Sequence, residues 1–252
     1  MTKIIMHGCN GHMGKVVSDI VARDPETEIV AGIDIAANDS LGYPVYTNPA
    51  DCQVEADCVV DFSTAKAVDA LLDYCVGRKL PLVLCTTGLS EEQLSKVEEA
   101  SAQIAILRSA NMSLGVNTLF DLVQKAASVF APAGFDIEIV EQHHNRKLDA
   151  PSGTAVQIAD AINEALEEKY EYTYNRSDKR EKRPKLQIGI SSVRGGSIVG
   201  IHEVIFAGED EVVEIKHTAY SRAIFGKGAV EAAKFIKGRD AGKYDMREVV
   251  KK

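Results

Sequence analysis

Short runs of β-branched and aliphatic residues alternate with segments of helical periodicity in the first half of the chain. We predict strands at these runs, at 3–7, 28–34, 57–61, 80–86 and 103–109. Apolar residues spaced three and four positions apart predict helices between the strands, at 11–23, 64–78 and 90–101. Ser90-Glu-Glu-Gln93 has the form of a capping box for the third helix. Strands alternating with helices are typical of βαβ units, so we predict an N-terminal α/β domain, a Rossmann-like doubly wound parallel sheet.

A different pattern follows a long helical segment predicted at 111–130. The elements predicted after it are a strand at 135–142, a helix at 153–169 and three strands at 186–193, 198–207 and 212–218. The loops between those three strands, 194–197 and 208–210, are of hairpin length, which predicts antiparallel pairing. We therefore predict a C-terminal α+β domain with an open mixed sheet, and a last helix at 222–237 long enough to return to the first domain.

With 45% apolar and 26% charged residues, the composition is that of a globular protein and excludes a disordered or fibrous chain. No apolar run approaches the roughly 18 residues of a membrane span, and the N-terminus lacks the apolar core of a signal peptide. A cytoplasmic location is therefore expected. Five cysteines without a Cys-x-x-Cys pair predict reduced thiols, and neither a disulfide framework nor a zinc ribbon.

The net charge of −8 disfavours nucleic acid and anionic membranes as partners. The segment 175–185 is basic, in contrast to the negative net charge of the chain. Acidic residues and a proline interrupt it, and no aromatic residue is interleaved for stacking on bases. We predict that this segment is a solvated loop.

A glycine-rich turn, His7-Gly-Cys-Asn-Gly-His-Met-Gly14, follows the first strand directly. Glycines let the main chain approach a pyrophosphate, and a helix N-terminus offers it unpaired N–H groups. The spacing Gly-x-x-Gly-x-x-Gly is not the standard one, so a purely structural turn stays open. Asp34 ends the next strand 20 residues past Gly14, where a ribose-binding acid belongs, although an Asp can also simply close a strand.

Two more loops follow predicted strands, at the edge of the sheet where ligands bind in such folds. They are Cys85-Thr-Thr-Gly88 and Ser109-Ala-Asn-Met112. Their hydroxyl, amide and main-chain groups are suited to hold a nicotinamide carboxamide. Each loop taken alone is also an ordinary turn.

The segment from Glu141 to Thr154 concentrates two imidazoles, a guanidinium, an ammonium and a second predicted helix N-terminus. A small dianion could use these groups, and a histidine can transfer a proton near neutral pH. A metal site built on His143 and His144 with His202 or His217 is the rival interpretation. Adjacent histidines on an extended chain point to opposite faces, so we expect no metal. A purely structural helix cap stays open.

The pattern Glu-x-His-His-x-x-Lys-x-Asp-Ala-Pro-Ser-Gly-Thr-Ala, from Glu141 to Ala155, resembles the signature of the 4-hydroxy-tetrahydrodipicolinate reductase family, also called dihydrodipicolinate reductase. Further motifs agree in order along nearly the whole chain. They include the glycine loop, the Thr-Thr-Gly turn, Asn111-Met-Ser-Leu-Gly-Val-Asn117, Ser192-Val-Arg-Gly-Gly-x-Ile-Val-Gly-x-His202 and Ser221-Arg-x-x-Phe225.

The resemblance implies NAD(P)H-dependent reduction of 4-hydroxy-tetrahydrodipicolinate to tetrahydrodipicolinate, with loss of water, in the diaminopimelate route of lysine biosynthesis. It implies a dinucleotide-binding domain of residues 1–112 and 222–252, and a domain of residues 113–221 that binds substrate and forms oligomers. A small dicarboxylate substrate and a homotetramer joined through the C-terminal sheets are therefore expected. The cofactor would be NADH or NADPH, and the lack of an arginine beside Asp34 favours NADH.

The resemblance also assigns roles to individual residues. It implies that the cofactor is bound by Gly8, Cys9, Asn10, Gly11, His12, Met13, Asp34, Cys85, Thr86, Thr87, Ser109, Ala110, Asn111 and Met112. It makes His143 a proton donor or acceptor and Lys147 a proton donor. The substrate carboxylate would be held by His144, Gly153 and Thr154.

Two residues depart from the usual pattern of the family. Cys85 stands where the family has Gly before Thr-Thr, and Ser109 where it commonly has Ala. A Cys is costly there if the turn requires a positive φ. Two rival functions stay open, a dehydrogenase of the homoserine or aspartate type and a non-catalytic nucleotide-binding or redox-sensing protein. The segment 141–154 argues against the first, and His143 with Lys147 argues against the second.

Overall fold

The computed structural model describes residues 1–251 of the 252-residue chain. The chain forms two compact units. Unit 1 comprises Met1–Leu114 and the chain from Ala223 onward, and unit 2 comprises Gly115–Arg222. Within residues 1–251, no helix is both long enough and apolar enough to cross a membrane.

The elements are numbered in chain order. The strands are β1 (Thr2–His7), β2 (Thr27–Ile33), β3 (Val45–Tyr46), β4 (Cys58–Asp61), β5 (Leu82–Leu84), β6 (Ala105–Leu107), β7 (Asp136–His143), β8 (Glu171–Tyr174), β9 (Gln187–Arg194), β10 (Gly200–Ala207), β11 (Val212–Ala219) and β12 (Gly242–Tyr244). The helices are α1 (His12–Val21), α2 (Ala65–Arg78), α3 (Glu91–Ser101), α4 (Leu114–Phe130), α5 (Gly153–Glu164), α6 (Ala223–Ile236) and α7 (Met246–Val250). A short 3₁₀ helix lies at Pro49–Asp51.

Seven strands of unit 1 form one sheet in the order β12-β6-β5-β4-β1-β2-β3, and every pair is parallel. One face packs with α1 and α6 around Ile4, Met6 and Val60, and the other packs with α2 and α3 around Ile5 and Val59. Burial on both faces explains the unbroken apolar runs of these strands. The predicted doubly wound parallel sheet is confirmed.

Strands β5 and β6 are shorter than the runs predicted at 80–86 and 103–109. Leu80 and Ile104 lie outside the strands, yet both are buried in the core of unit 1. Their apolar character therefore reflects burial, not strand pairing. The predicted capping box of α3 is present, since the Gln93 N–H donates to Ser90 Oγ and the Ser90 N–H donates to Gln93 Oε1, each at 3.2 Å.

Five strands of unit 2 form a second sheet in the order β11-β10-β7-β9-β8. β10 pairs antiparallel with both β7 and β11, whereas β9 pairs parallel with β7 and β8. Alternate side chains of β7 and β10, among them Ile139 and Val204, belong to one core with those of α4 and α5. The predicted α+β domain with a mixed sheet is confirmed, and so is the hairpin of β10 and β11.

The hairpin predicted across the loop 194–197 is wrong, because β7 lies between β9 and β10. The loop 194–197 crosses the end of β7 and forms main-chain hydrogen bonds with the residues there. The Gly195 N–H donates to the carbonyl oxygen of His143 at 2.9 Å, and the Asn145 N–H donates to that of Gly196 at 3.2 Å. A short loop can therefore span one intervening strand as well as close a hairpin.

Side-chain hydrogen bonds shorten two of the predicted helices. The helix predicted at 111–130 begins at Leu114, because the Ser113 N–H donates to Asn111 Oδ1 at 2.9 Å. The helix predicted at 153–169 ends at Glu164. There the Asn163 side chain accepts from the N–H of Tyr170 and donates to its carbonyl oxygen, both at 2.9 Å. This turn leads into β8, which the sequence pattern did not predict.

The solvated loop predicted at 175–185 needs one correction, since Arg183 is largely buried and holds strands together. Its guanidinium lies 2.7 Å from Asp136 Oδ1 and 2.9 Å from Glu138 Oε1. It also donates to the carbonyl oxygens of Ile137 and Gln187. The basic residues that remain exposed are Lys179, Arg180, Lys182 and Lys185.

Candidate active site

The glycine turn after β1 brings main chain against main chain. Gly8 has a φ of +81°, and a Cβ there would lie 2.6 Å from the carbonyl oxygen of Phe62. A Cβ on Gly14 would lie 2.2 Å from the carbonyl oxygen of Gly8. The turn leads into α1, whose N-cap Gly11 offers no side chain to bond the first N–H groups. A phosphate can approach such a helix N-terminus closely, so these residues fit a dinucleotide.

Asp34 follows β2, and its carboxylate reaches this turn. Its Oδ2 accepts the N–H of Asn10 at 2.9 Å. The Asn10 side chain in turn donates to the carbonyl oxygen of Ala36 at 2.8 Å and accepts from Asn38 at 2.7 Å. Cys9, between the glycines, is buried, and burial together with the charge of Asp34 raises the pKa of its thiol to about 11. Asp34 itself is half-buried, so it remains accessible to a ribose.

Asp61, the last residue of β4, connects the ends of three neighbouring strands. Its carboxylate is fully buried, and Oδ1 lies 2.7 Å from His7 Nδ1 and accepts the N–H of Ser63 at 3.1 Å. Its carbonyl oxygen accepts the N–H of Cys85 at 3.0 Å. The predicted cofactor loops after β1 and β5 are therefore joined through a residue that the sequence did not single out.

Cys85 has an ordinary backbone conformation. Among residues 1–251, the non-glycine residues with positive φ are Lys79 and Asn175. Replacement of glycine at position 85 therefore causes no backbone strain. The Cys85 side chain packs against the core of unit 1, and burial raises the pKa of its thiol well above the usual 9.0. A partly buried, protonated thiol is a poor nucleophile, which argues against redox sensing.

The candidate residues after β5 and β6 differ in exposure. Thr86 is buried, with Oγ1 3.5 Å from Ser63 Oγ, and Met112 belongs to the core of unit 1. Their main-chain atoms, not their side chains, are the groups suited to contact a cofactor. The candidate side chains that are at least partly exposed belong to Cys85, Thr87, Ser109, Ala110 and Asn111.

In unit 2, the helix-covered face of the sheet changes from apolar to polar toward the carboxyl end of β7. Ile137 and Ile139 are followed at the same spacing by Glu141 and His143, which remain buried. Glu141 Oε2 lies 2.5 Å from His143 Nδ1. Arg194, at the end of β9, donates to both oxygens of Glu141, at 2.8 and 2.7 Å. A bidentate pair of this kind has both strength and a fixed orientation.

Burial and the neighbouring charges shift the pKa of His143 in opposite directions. Burial lowers the pKa of His143, Glu141 raises it, and the positive charges of Lys147 and Arg194 lower it again, leaving it below its usual 6.5. Burial alone would raise the pKa of Glu141. Hydrogen bonds from Arg194, Ser192 and His143 outweigh burial and lower that pKa to about 2. Glu141 is therefore an ionised carboxylate beside a mostly neutral imidazole at neutral pH.

Ser152 connects this pair to the start of α5. Its N–H donates to Glu141 Oε1 at 3.1 Å, and its Oγ accepts the N–H of Ala155 at 3.2 Å as the helix N-cap. The same Oγ lies 3.0 Å from Nε2 of His202, a buried residue of β10. Burial and the neighbouring His143 lower the pKa of His202 to about 4. The helix N-terminus is thus fixed relative to both imidazoles.

Lys147 lies in the loop after β7 and is three-quarters buried. Its Nζ is 2.9 Å from Asp149 Oδ1. The pKa of Asp149 is lowered mainly by the hydrogen bond from Lys147, and the main-chain N–H of Gly153 lowers it further. A carboxylate of the chain itself thus contacts Lys147, one of the groups assigned to catalysis, and is stabilised by the start of α5. This shows that the ammonium and the start of α5 suit a carboxylate.

The remaining substrate candidates lie at the same end of the sheet. His144 follows the last residue of β7 and is half-buried, while Gly153 and Thr154 are the first two residues of α5. Glu141, Arg194, Ser152 and His202 complete the group but were not assigned a role in substrate binding or catalysis from the sequence, which considered His202 only as a metal ligand. Glu141 and His143 two residues apart on a strand were the available signal, since that spacing places them on one face. Within residues 1–251, no three His, Cys, Asp or Glu side chains are placed to hold a metal.

Two family models together match nearly the whole chain. Residues 2–112 match the model described as dihydrodipicolinate reductase, N-terminus, and residues 115–250 match the model of its C-terminus. The chain belongs to the dihydrodipicolinate reductase family. This confirms the family predicted from the sequence and, with it, the predicted class of enzyme, a reductase.

Relatives agree with this membership in the dihydrodipicolinate reductase family. A 4-hydroxy-tetrahydrodipicolinate reductase of Caldanaerobacter subterraneus is 55% identical over 252 residues, 100% of this chain and 99% of the relative. One of Clostridium tetani is 49% identical and covers 98% of this chain and 96% of the relative. Dipicolinate-bound dihydrodipicolinate reductase from Paenisporosarcina has the same fold, with a TM-score of 0.80, 24% identity and coverage of 98% and 99% of the two chains.

Proposed function

We propose that this protein reduces 4-hydroxy-tetrahydrodipicolinate to tetrahydrodipicolinate with NADH or NADPH, in the diaminopimelate route of lysine biosynthesis. The observation that carries the proposal is the group formed by the buried pair of Glu141 and His143, the ammonium of Lys147 and the N-terminus of α5, in a chain of this family. These groups can bind a small dicarboxylate and transfer a proton beside it.

The reaction adds a hydride and a proton to the substrate and releases water. A bound nicotinamide would supply the hydride. His143 and Lys147 are the proton-transferring residues in the proposal, and the substrate carboxylate would be bound by His144, Gly153 and Thr154. The contact of Asp149 with Lys147 supports this assignment, because it places a carboxylate beside this ammonium and near the start of α5. The positive charge there offsets negative charge that develops as hydride arrives.

The cofactor would be held by unit 1. Gly8 to Met13 would contact the pyrophosphate, since the N-cap Gly11 leaves the first N–H groups of α1 without a side-chain partner. Asp34 would accept hydrogen bonds from the adenosine ribose. No arginine adjoins Asp34, which favours NADH over NADPH. The loops 85–87 and 109–112 would contact the nicotinamide half.

We also propose a homotetramer formed through the sheet of unit 2, and a cytoplasmic location. The core of unit 2 lies on the side of the sheet where α4 and α5 pack. Val193, Val212 and Tyr174 are exposed side chains of its strands. Covering them with a second copy would remove apolar surface from water. Analytical ultracentrifugation measures the mass directly, and a monomer at micromolar concentration would contradict this part.

The function is tested by supplying the substrate in situ. An aldolase-type enzyme condenses pyruvate with aspartate semialdehyde, and the absorbance of NADH or NADPH is followed in separate reactions. Oxidation should depend on pyruvate, on the aldolase and on this protein, and the His143→Gln variant should be strongly impaired. Absence of oxidation with either cofactor would refute the proposed function.

A further inference from the structure

We propose that Glu141, clamped by Arg194, is a positioning residue that fixes the protonated nitrogen of His143 and thereby leaves Nε2 free for the substrate. The inference rests on the proposed function for the identity of that substrate. Its geometric basis is the set of hydrogen bonds around Glu141 and the space beside the imidazole ring.

The oxygens of Glu141 are fully engaged by donors. Oε1 accepts from Arg194 Nη2 at 2.7 Å and from the Ser152 N–H at 3.1 Å. Oε2 accepts from Arg194 Nη1 at 2.8 Å and lies 2.5 Å from His143 Nδ1. An ionised carboxylate has no proton to donate, so the hydrogen bond with His143 requires the proton on Nδ1. The neutral ring then has a bare Nε2.

The space beside Nε2 is kept clear by a glycine on the neighbouring strand. A Cβ at Gly200 would lie 3.1 Å from His143 Nε2 and 3.5 Å from Cδ2. Any other residue at position 200 would crowd the nitrogen that Glu141 leaves bare. Strand β10 therefore carries a glycine where an inward side chain would interfere with proton transfer at Nε2.

A purely structural role for Glu141 makes a different prediction about His143. The charged or titratable groups that face His143 are Glu141 on its own strand, Arg194 on β9, His202 on β10 and Lys147 in the following loop. Glu141→Gln removes a negative charge and should lower the pKa of His143 further. Arg194→Met removes a positive charge and should raise it. A purely structural pair would give the same pKa shifts, but a folded Glu141→Gln protein would keep the tautomer of His143 and kcat unchanged.

Loss of Glu141 should also change the ring itself. In Glu141→Gln, the side-chain amide can present its NH₂ group to Nδ1, which then accepts a hydrogen bond and moves the proton to Nε2. Turnover depends on the correct tautomer, so kcat should fall by about 10- to 1,000-fold, less than the roughly 100- to 10,000-fold expected when a proton-transferring residue is removed outright. Glu141 is not among the proposed substrate contacts, so KM and the affinity for dipicolinate should change less than threefold.

The test combines NMR with kinetics on the full-length protein carrying ¹⁵N-labelled histidine. The His143 signal is assigned by its absence in His143→Gln. The tautomer and pKa of His143 are then measured in Glu141→Gln, Arg194→Met and the control Glu138→Gln. The control breaks another carboxylate–arginine pair of β7, the one with Arg183, away from His143. This control should leave the tautomer and the pKa of His143 unchanged and kcat within twofold of the wild type.

The proposal is supported by an Nδ1–H tautomer in the wild type, its loss in Glu141→Gln, and pKa shifts of opposite sign in the two variants. A folded Glu141→Gln protein with an unchanged tautomer of His143 would overturn it. If that variant does not fold, Arg194→Met decides, and an unchanged or lowered pKa of His143 would overturn the proposal. The NMR measurement needs no substrate, so it remains informative even if the proposed function fails.

Discussion

The ammonium of Lys147 lies 2.9 Å from the carboxylate of Asp149. A side chain of the protein itself is therefore bound to a residue that is proposed to take part in the reaction. The main-chain N–H of Gly153 acts on the same carboxylate. A substrate carboxylate that binds to Lys147 would share or replace this contact. We therefore expect Asp149 to compete with the substrate for Lys147.

Substitution of Asp149 tests this competition. In Asp149→Asn, the side chain at position 149 loses its charge and binds Lys147 less strongly. Dipicolinate should therefore bind about 3- to 10-fold more tightly, which corresponds to roughly 1 kcal/mol. Asp210→Asn, on the exposed loop between β10 and β11, changes the net charge equally and should leave affinity unchanged. Isothermal titration calorimetry measures both. Equal or weaker binding in Asp149→Asn would show that Asp149 supports the site instead of competing for it.

Removal of the proton-transferring groups should affect chemistry and spare cofactor binding. His143→Gln and Lys147→Ala should each lower kcat by about 100- to 10,000-fold, the range of general acid–base catalysis. The Kd for NADH should stay within twofold of the wild type, because both residues belong to unit 2. Steady-state kinetics and fluorescence titration with NADH check the two parts. Near-normal turnover in both variants would show that the roles are assigned to the wrong residues.

The glycine turn of unit 1 offers a matched pair of substitutions. Gly14→Ala places a Cβ 2.2 Å from the carbonyl oxygen of Gly8, so the turn must shift. The Kd for NADH should rise by about 10-fold or more, the effect of roughly 1.4 kcal/mol, because the N–H groups at the start of α1 move with the turn. Gly77→Ala, in α2, meets no atom within 4 Å and should leave the Kd unchanged. Tight NADH binding by Gly14→Ala would exclude this turn as the pyrophosphate site.

Most elements of the fold could be predicted because they depend on local patterns. The capping box at Ser90 and Gln93 is one example, and the alternation of Ile137, Ile139 and Glu141 on β7 is another. The position of β7 between β9 and β10 could not, because strand order depends on contacts between distant segments. For the same reason the sequence gives no sign that Arg194 clamps Glu141, which lies 53 residues earlier.

The pH dependence of stability should reflect the buried imidazole of His202. Its pKa is about 4 in the folded protein, against 6.5 for an unperturbed group, because the folded site keeps it neutral. Between these two pKa values the unfolded chain binds the proton more readily than the folded one. The contribution of His202 to stability is therefore fully present above pH 6.5 and is lost as the pH falls toward 4.

Calorimetry of His202→Asn tests this assignment. The variant should show a smaller decrease of the unfolding temperature between pH 6.5 and 4 than the wild type. His12→Asn, which removes an exposed imidazole, should retain the wild-type decrease. Parallel curves for wild type and His202→Asn would mean that His202 is not the group responsible.

Arg183 should matter for stability far more than its neighbours in the basic segment. Arg183→Met leaves Asp136 without its charge partner and Glu138 with only the more distant Arg176, and should lower the free energy of unfolding by about 1–3 kcal/mol. Arg180→Met, at an exposed position, should change it by less than about 0.5 kcal/mol. Thermal unfolding of both variants is the measurement. Equal stabilities would assign Arg183 to the solvated part of the segment.

The most direct test of the proposed reaction follows the hydride itself. NADH or NADPH carrying deuterium at the transferred position is supplied with substrate generated from pyruvate and aspartate semialdehyde, and the product is analysed by mass spectrometry. We predict a product that has gained one deuterium and lost one water, formed by the wild type and hardly by His143→Gln. Deuterium that remains on the cofactor, or a product that retains the hydroxyl group, would contradict the proposed function.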